Sequence, residues 1–145
     1  MIAVDTNLLV YSARRDMPLH AVAAARIAGL VQSGQPWCIP WPCVHEFISV
    51  ATNRRLFEVP MPLEVAFDAI DAWRATPHFA FIGEAPGHLA RLRDTALTGR
   101  ISGALIHDAR IAAICIDHGV HELWSADRDF GRFPALKVMN PLVRV

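Results

Sequence analysis

The stretch MIAVDTNLLV, residues 1–10, sets the pattern that decides the fold: a short apolar run, Ile2-Ala3-Val4, stops on a carboxylate, Asp5. Comparable runs recur in PWCIPW at 36–41, FAFIG at 79–83, ELWSA at 122–126 and LKVM at 136–139. Their length and apolar character are those of buried strands. Helical periodicity fills the intervals. Ala23, Ile27, Leu30 and Val31 share a face that closes at Ser33-Gly34, and Val44, Phe47, Ile48 and Ala51 stripe a helix from about Pro42 to Asn53. Pro62 opens a helix carrying Leu63, Phe67, Ile70 and Trp73, and Pro86 precedes one carrying Leu89, Leu92 and Ala96 that ends at Gly99. The segment from Ala104 to His118 is apolar nearly all round and stops at Gly119, which predicts a largely buried helix. Strands alternating with helices imply a three-layer α/β/α domain around a central, mainly parallel five-stranded sheet.

With 145 residues and no linker or repeat, the expectation is a single domain over 1–145. The apolar share is 53%, enough to leave surface for a partner, yet no uninterrupted apolar run approaches the roughly 20 residues of a membrane-spanning helix. The N-terminus lacks the basic-then-apolar order of a secretory leader, and three cysteines without CxxC spacing fit neither a disulfide framework nor a zinc site. A cytoplasmic location is the expectation. Basic and acidic residues balance at 14 each, so no bulk field favours nucleic acid.

Four acids stand where an acid is locally unexpected: Asp5 after MIAV, Glu46 in CVHEFISV, Asp108 in ALIHDARIAA and Asp127 after ELWSA. In an open α/β sheet the ligand crevice lies beyond the carboxyl ends of the strands, where Asp5 and Asp127 sit. Gathered without a counterion, such acids would repel, and burial would push their pKa values up. A hard divalent cation, Mg²⁺ or Mn²⁺, resolves that conflict and brings phosphodiester hydrolysis within reach. Thr6, Asn7 and Ser125 could orient ligands or waters around it. Taken alone, Asp5 could equally cap a following helix, Glu46 could be a solvated glutamate, and Asp127 could cap a short helix through Arg132. An acid inside a helix as apolar as that of Asp108 is harder to explain without a site.

VDTNLL at 4–9, the glutamate after the second strand (Glu46), GALIHDARIAA at 103–113 and LWSADRDF at 123–130 together resemble the PIN domain, and more narrowly the VapC toxins of type II toxin-antitoxin pairs. The resemblance implies an endoribonuclease acting on structured RNA such as tRNA, dependence on Mg²⁺ or Mn²⁺, homodimerisation, and inhibition by a VapB-like antitoxin. It implies Asp5, Asp108 and Asp127 as metal ligands and Glu46 as the acid that completes the site or helps activate water. Asp129 is an extra acid that could replace Asp127 at the metal.

Arg14, Arg15, Arg91, Arg93 and Arg100 are candidates for RNA backbone contacts, and setting aside the four site acids leaves 14 basic against 10 acidic residues. Four other readings compete. A phosphoacceptor receiver domain would use Ser125 and Lys137 but leaves Glu46 and Asp108 unexplained. A haloacid-dehalogenase-type phosphatase needs an acid at position 7, which is Asn. An HD-type phosphohydrolase built on His107-Asp108 lacks its further ligands. A catalytically inactive PIN-like binding domain is disfavoured because all four acids are present.

Overall fold

The computed structural model describes residues 1–143. Five short strands, β1 (Ile2–Val4), β2 (Trp37–Pro40), β3 (Phe79–Ile82), β4 (Glu122–Trp124) and β5 (Val138–Met139), form one sheet in the order β3-β2-β1-β4-β5. Every pairing is parallel, with Ala3 between Cys38 and Leu123 at the centre. The chain walks from β1 outward to β3, then crosses back to β4 and β5 on the other side. Right-handed crossovers in opposite directions place their helices on opposite faces, which gives the three layers.

On the first face lie α1 (Thr6–Ala13), α2 (His20–Gln32), α3 (Trp41–Ala51) and α4 (Leu63–Arg74), with α1 against α2 and α3, and α3 against α4. The second face carries α5 (His88–Gly99) packed on α6 (Ile106–Asp117). Trp37, Phe47, Ile39, Leu8, Leu9, Ile111 and Ile114 are fully buried in one continuous core. Among the described residues no helix is long and apolar enough to cross a membrane.

The helix α1 is absent from the periodicity reading above. It begins directly after β1, and its residues NLLVY pass as a continuation of the strand. Two terminal glycines act differently from one another. Gly119 has φ +66° and ends α6 as a left-handed cap requires. Gly99 ends α5 without a positive φ, and Arg100 takes the left-handed conformation instead, at φ 50°. What Gly99 supplies is space: a Cβ there would meet Phe133 Cε1 at 2.7 Å, and Phe133 is buried. We therefore expect Gly99→Ala to destabilise the fold by roughly 1–3 kcal/mol, read by chemical denaturation, and Phe133→Leu to restore part of it.

At the start of β4, Glu122 accepts a hydrogen bond from Trp124 Nε1 and pairs with Lys137 Nζ, both at 2.9 Å. Burial pushes the Glu122 carboxyl up, but Lys137 and Trp124 outweigh it and hold it below the ordinary glutamate value. A depressed folded pKa contributes stability that is present above the unfolded value, about 4.3, and is lost as pH falls through the folded one. Lys137 is mostly exposed, so Glu122→Gln should cost only ~0.5–1 kcal/mol at neutral pH, shrinking towards zero in acid; equal cost at both would refute the pairing. This pair also removes the receiver reading. Lys137 is engaged at the start of the strands, at the opposite end of β4 from Ser125.

Candidate active site

The site forms where strand order reverses, between the carboxyl ends of β1 and β4. The Asp5 amide still bonds the Trp124 carbonyl at 3.0 Å, so the chain leaves the sheet at that residue. Asp5 occupies the N-cap position of α1 with extended backbone, yet its side chain makes no capping bond. Its Oδ2 accepts from the Ser125 hydroxyl at 2.7 Å and, more weakly, from the Asn7 amide at 3.4 Å. Its Oδ1 accepts from the Cys43 thiol at 3.4 Å. The helix-cap reading of Asp5 is thereby overturned, because neighbours across the sheet engage the carboxylate.

Asn7 extends this lattice. Its carbonyl oxygen accepts from the Ala126 amide at 3.2 Å, and the Ser125 hydroxyl accepts from the Asp127 amide at 3.0 Å. The loop after β4 is thus tied to the loop after β1. Asp127 in turn accepts from the Asp129 amide at 2.9 Å and caps the 3₁₀ turn Arg128–Arg132.

Glu46 comes from α3. Its Oε2 accepts from the Thr6 hydroxyl at 2.8 Å, and the face it shares with Val50 lines a cavity and is not a solvated surface. Asp108 enters from the first turn of α6. A cavity of about 350 Å³ collects Asp5, Thr6, Asn7, Glu46, Asp108 and Asp127 on its polar side. The rest of its lining is largely apolar: Val10, Tyr11, Met17, Val50 and Phe57. Sequence reasoning missed that lining, since its residues come from α1, α3 and the segments after them and read as ordinary core.

Burial pushes the Asp5 carboxyl above its ordinary value, with the Glu46 charge adding to the effect and the Ser125 hydroxyl, the Thr6 amide and the Cys43 thiol opposing it. Asp108 is pushed up to about 6, first by burial and then by the charges of Asp127, Asp5, Asp129 and Glu46. Shifts of this kind mark carboxylates crowded together without a counterion.

Among the described residues, Asp108, Asp127 and Asp129 bring carboxylate oxygens within 4.8 Å of one another. Asp129, which the sequence left as an extra, belongs to this triplet, whereas Asp5 stands outside it and lines the cavity. The donor set is all oxygen. Cys43, the thiol in contact with Asp5, is buried and raised well above the ordinary value, so it stays protonated and serves Asp5 as a hydrogen-bond donor. Oxygen donors with no available thiolate or imidazole fit a hard divalent cation better than zinc or copper.

The proposed arginine set divides. Arg14 is buried, its guanidinium bonded to Asp16, to the Ala51 and Val59 carbonyls, and stacked 3.6 Å from the Phe57 ring centroid. Its expected role in RNA contact is corrected to a structural one. Arg91 pairs with Asp117 of α6 at 2.8 Å. Arg15, Arg93 and Arg100 are exposed, and Arg15 stands two residues before Met17, which lines the cavity.

Residues 2–136 match the model of the PIN domain family. The chain is 36% identical over 141 residues to ribonuclease VapC31 of Mycobacterium tuberculosis, covering 97% of this chain and 99% of that one. It is 34% identical to ribonuclease VapC25 of the same organism, with the same coverage. Among solved structures, VapBC2 of Rickettsia felis bound to a promoter DNA fragment aligns at TM-score 0.69 and 17% identity, covering 97% of this chain and 98% of that one. VapC20 of Mycobacterium tuberculosis, described as a sarcin-ricin loop cleaving toxin, aligns at TM-score 0.65 and 14% identity over 94% of this chain and 99% of that one. With four acids gathered at the switch point of a parallel sheet and near-full-length identity to these relatives, the chain belongs to the PIN domain family and, within it, to the VapC ribonucleases.

Proposed function

We propose that this protein is a Mg²⁺-dependent endoribonuclease, with Mn²⁺ as a substitute, and the toxin of a toxin-antitoxin pair. The observation that carries the reading is the convergence of Asp5, Glu46, Asp108 and Asp127 on one cavity, with two of these carboxylates raised above their ordinary values. Asp108 and Asp127 would hold the cation, with Asp5 or Asp129 completing the set. The bound metal supplies a polarised phosphoryl oxygen and a water of lowered pKa. Ser125 and Asn7 fix the Asp5 carboxylate through their hydrogen bonds, and Thr6 orients Glu46. Glu46, which lines the same cavity, would accept a proton from the attacking water. Exposed arginines, Arg15 first, would supply salt-sensitive contacts to RNA phosphates.

The VapBC complexes among the similar structures support a VapB-like antitoxin as partner. Homodimerisation, a cytoplasmic setting and a structured RNA such as tRNA complete the proposal. The test is incubation of the antitoxin-free protein with total RNA in Mg²⁺, in Mn²⁺ and in EDTA. Cleavage should need the metal and stop in EDTA, and cleavage that persists in EDTA refutes the metal assignment. Metal binding should also appear without substrate. At a hundredfold excess over its Kd, Mg²⁺ should stabilise the fold by about 2.7 kcal/mol in thermal unfolding, and the absence of any shift would count against the site.

A further inference from the structure

We infer that Cys43 is a positioning residue for the cation site: its thiol, reaching Asp5 from α3, sets how tightly the site binds its metal. The inference rests on the metal-dependent nuclease reading above and adds a residue to it. The surrounding chain fixes Cys43 in place. The helix α3 starts directly at the end of β2, beside β1, and Pro40 and Pro42 restrict the backbone on entry. Its first turn brings Cys43 to the end of β1, fully buried, with Sγ 3.4 Å from Asp5 Oδ1. Three residues further along α3, Glu46 accepts from the Thr6 hydroxyl at 2.8 Å. Side chains three apart share a helix face, so one face of α3 grips two successive residues at the junction of β1 and α1.

The two oxygens of Asp5 are unequally loaded. Oδ2 accepts from Ser125 and Asn7, whereas on Oδ1 the Cys43 thiol is the one side-chain donor among the described residues. With two donors in place Oδ2 has little left to give, and Oδ1 keeps the greater capacity for a cation. A thiol is a weak donor, so it orients the carboxylate while leaving Oδ1 most of its charge. Filling of the core is the competing account of Cys43, under which any small apolar side chain would serve as well. Cys115 provides the comparison. It is a fully buried thiol on α6 with no hydrogen bond to Asp5 among the described residues.

The experiment titrates the full, RNA-free chain with Mg²⁺ by calorimetry and then measures cleavage of total RNA across the same Mg²⁺ range. Cys43→Ala and Cys43→Val both remove the donor, one leaving space and the other filling it. Each should raise the Mg²⁺ Kd by roughly 10- to 100-fold, as loss of a group that orients a metal ligand does. The Mg²⁺ concentration for half-maximal cleavage should move by the same factor, with a much smaller fall in the rate at saturating Mg²⁺. Cys43→Ser, which keeps a donor, should recover part of the affinity, and Cys115→Ala should bind Mg²⁺ as the wild type does. An unchanged Kd in both donor-free variants, or an equal rise in Cys115→Ala, overturns the inference and leaves the nuclease reading standing. Wild-type protein that neither binds Mg²⁺ or Mn²⁺ nor cleaves RNA removes both.

Discussion

Asp108→Asn should lower RNA cleavage by about a thousandfold or more and, in the same protein freed of metal, raise the unfolding temperature by roughly 2–4 °C. The two effects have one cause. Asp108 is crowded by Asp127, Asp129, Asp5 and Glu46, and its carboxyl is pushed up to about 6 by burial and by those charges. An amide of the same shape removes a repelling charge and can donate to its acidic neighbours, which is worth on the order of 1 kcal/mol, or a few degrees for a chain of this size. On the proposed reading it also removes a metal ligand. Groups that merely orient ligands commonly cost 10- to 100-fold when lost, so a ligand itself should cost more. Adding Mg²⁺ should reverse the order of stability, since only the wild type keeps its full affinity. Asp108→Asn that is less stable than wild type in EDTA, or that cleaves normally, would contradict the assignment.

Arg14→Ala is expected to destabilise the fold by about 2–3 kcal/mol and lower the unfolding temperature by roughly 5–10 °C, without changing how RNA binding depends on salt. The residue holds the segment after α3 through the Val59 carbonyl at 2.9 Å and the Phe57 ring, and that ring is one wall of the cavity. Arg14→Lys should recover little, because an ammonium cannot reproduce a planar fork that bonds two directions while stacking. Arg15→Ala provides the contrast: unchanged stability and a salt slope reduced by about one phosphate contact. Normal stability with weakened RNA binding in Arg14→Ala would restore its place among the RNA contacts.

The α/β layering was legible because buried parallel strands and amphipathic helices leave opposite periodicities in the chain. The helix α1 escaped because Thr6, Asn7 and Leu8 follow the strand with no break other than Asp5 itself. The four acids were legible for a different reason: each interrupts an apolar context, and that is visible in one dimension. Arg14 was misread because what decides its role is the position of two backbone carbonyls, at Ala51 and Val59, far along the chain. Asp129 gained standing in the same way. Its nearness to Asp108 depends on the 3₁₀ turn that Asp127 caps, which spacing alone does not disclose.

The hydrogen bond from Ser125 to Asp5 spans 120 positions of the chain, and β1 sits between β2 and β4 at the centre of the sheet. During synthesis the first strand leaves the ribosome early, yet one edge of it stays unpaired until residues 122–124 follow. At roughly 5–20 residues per second that interval lasts several seconds to tens of seconds. The carboxylates of the proposed site cannot gather before then, because Ser125, which holds Asp5, and Asp127 have not been made. On the proposed nuclease reading, a nascent chain should stay inactive until residues 122–127 have been made and have paired with β1.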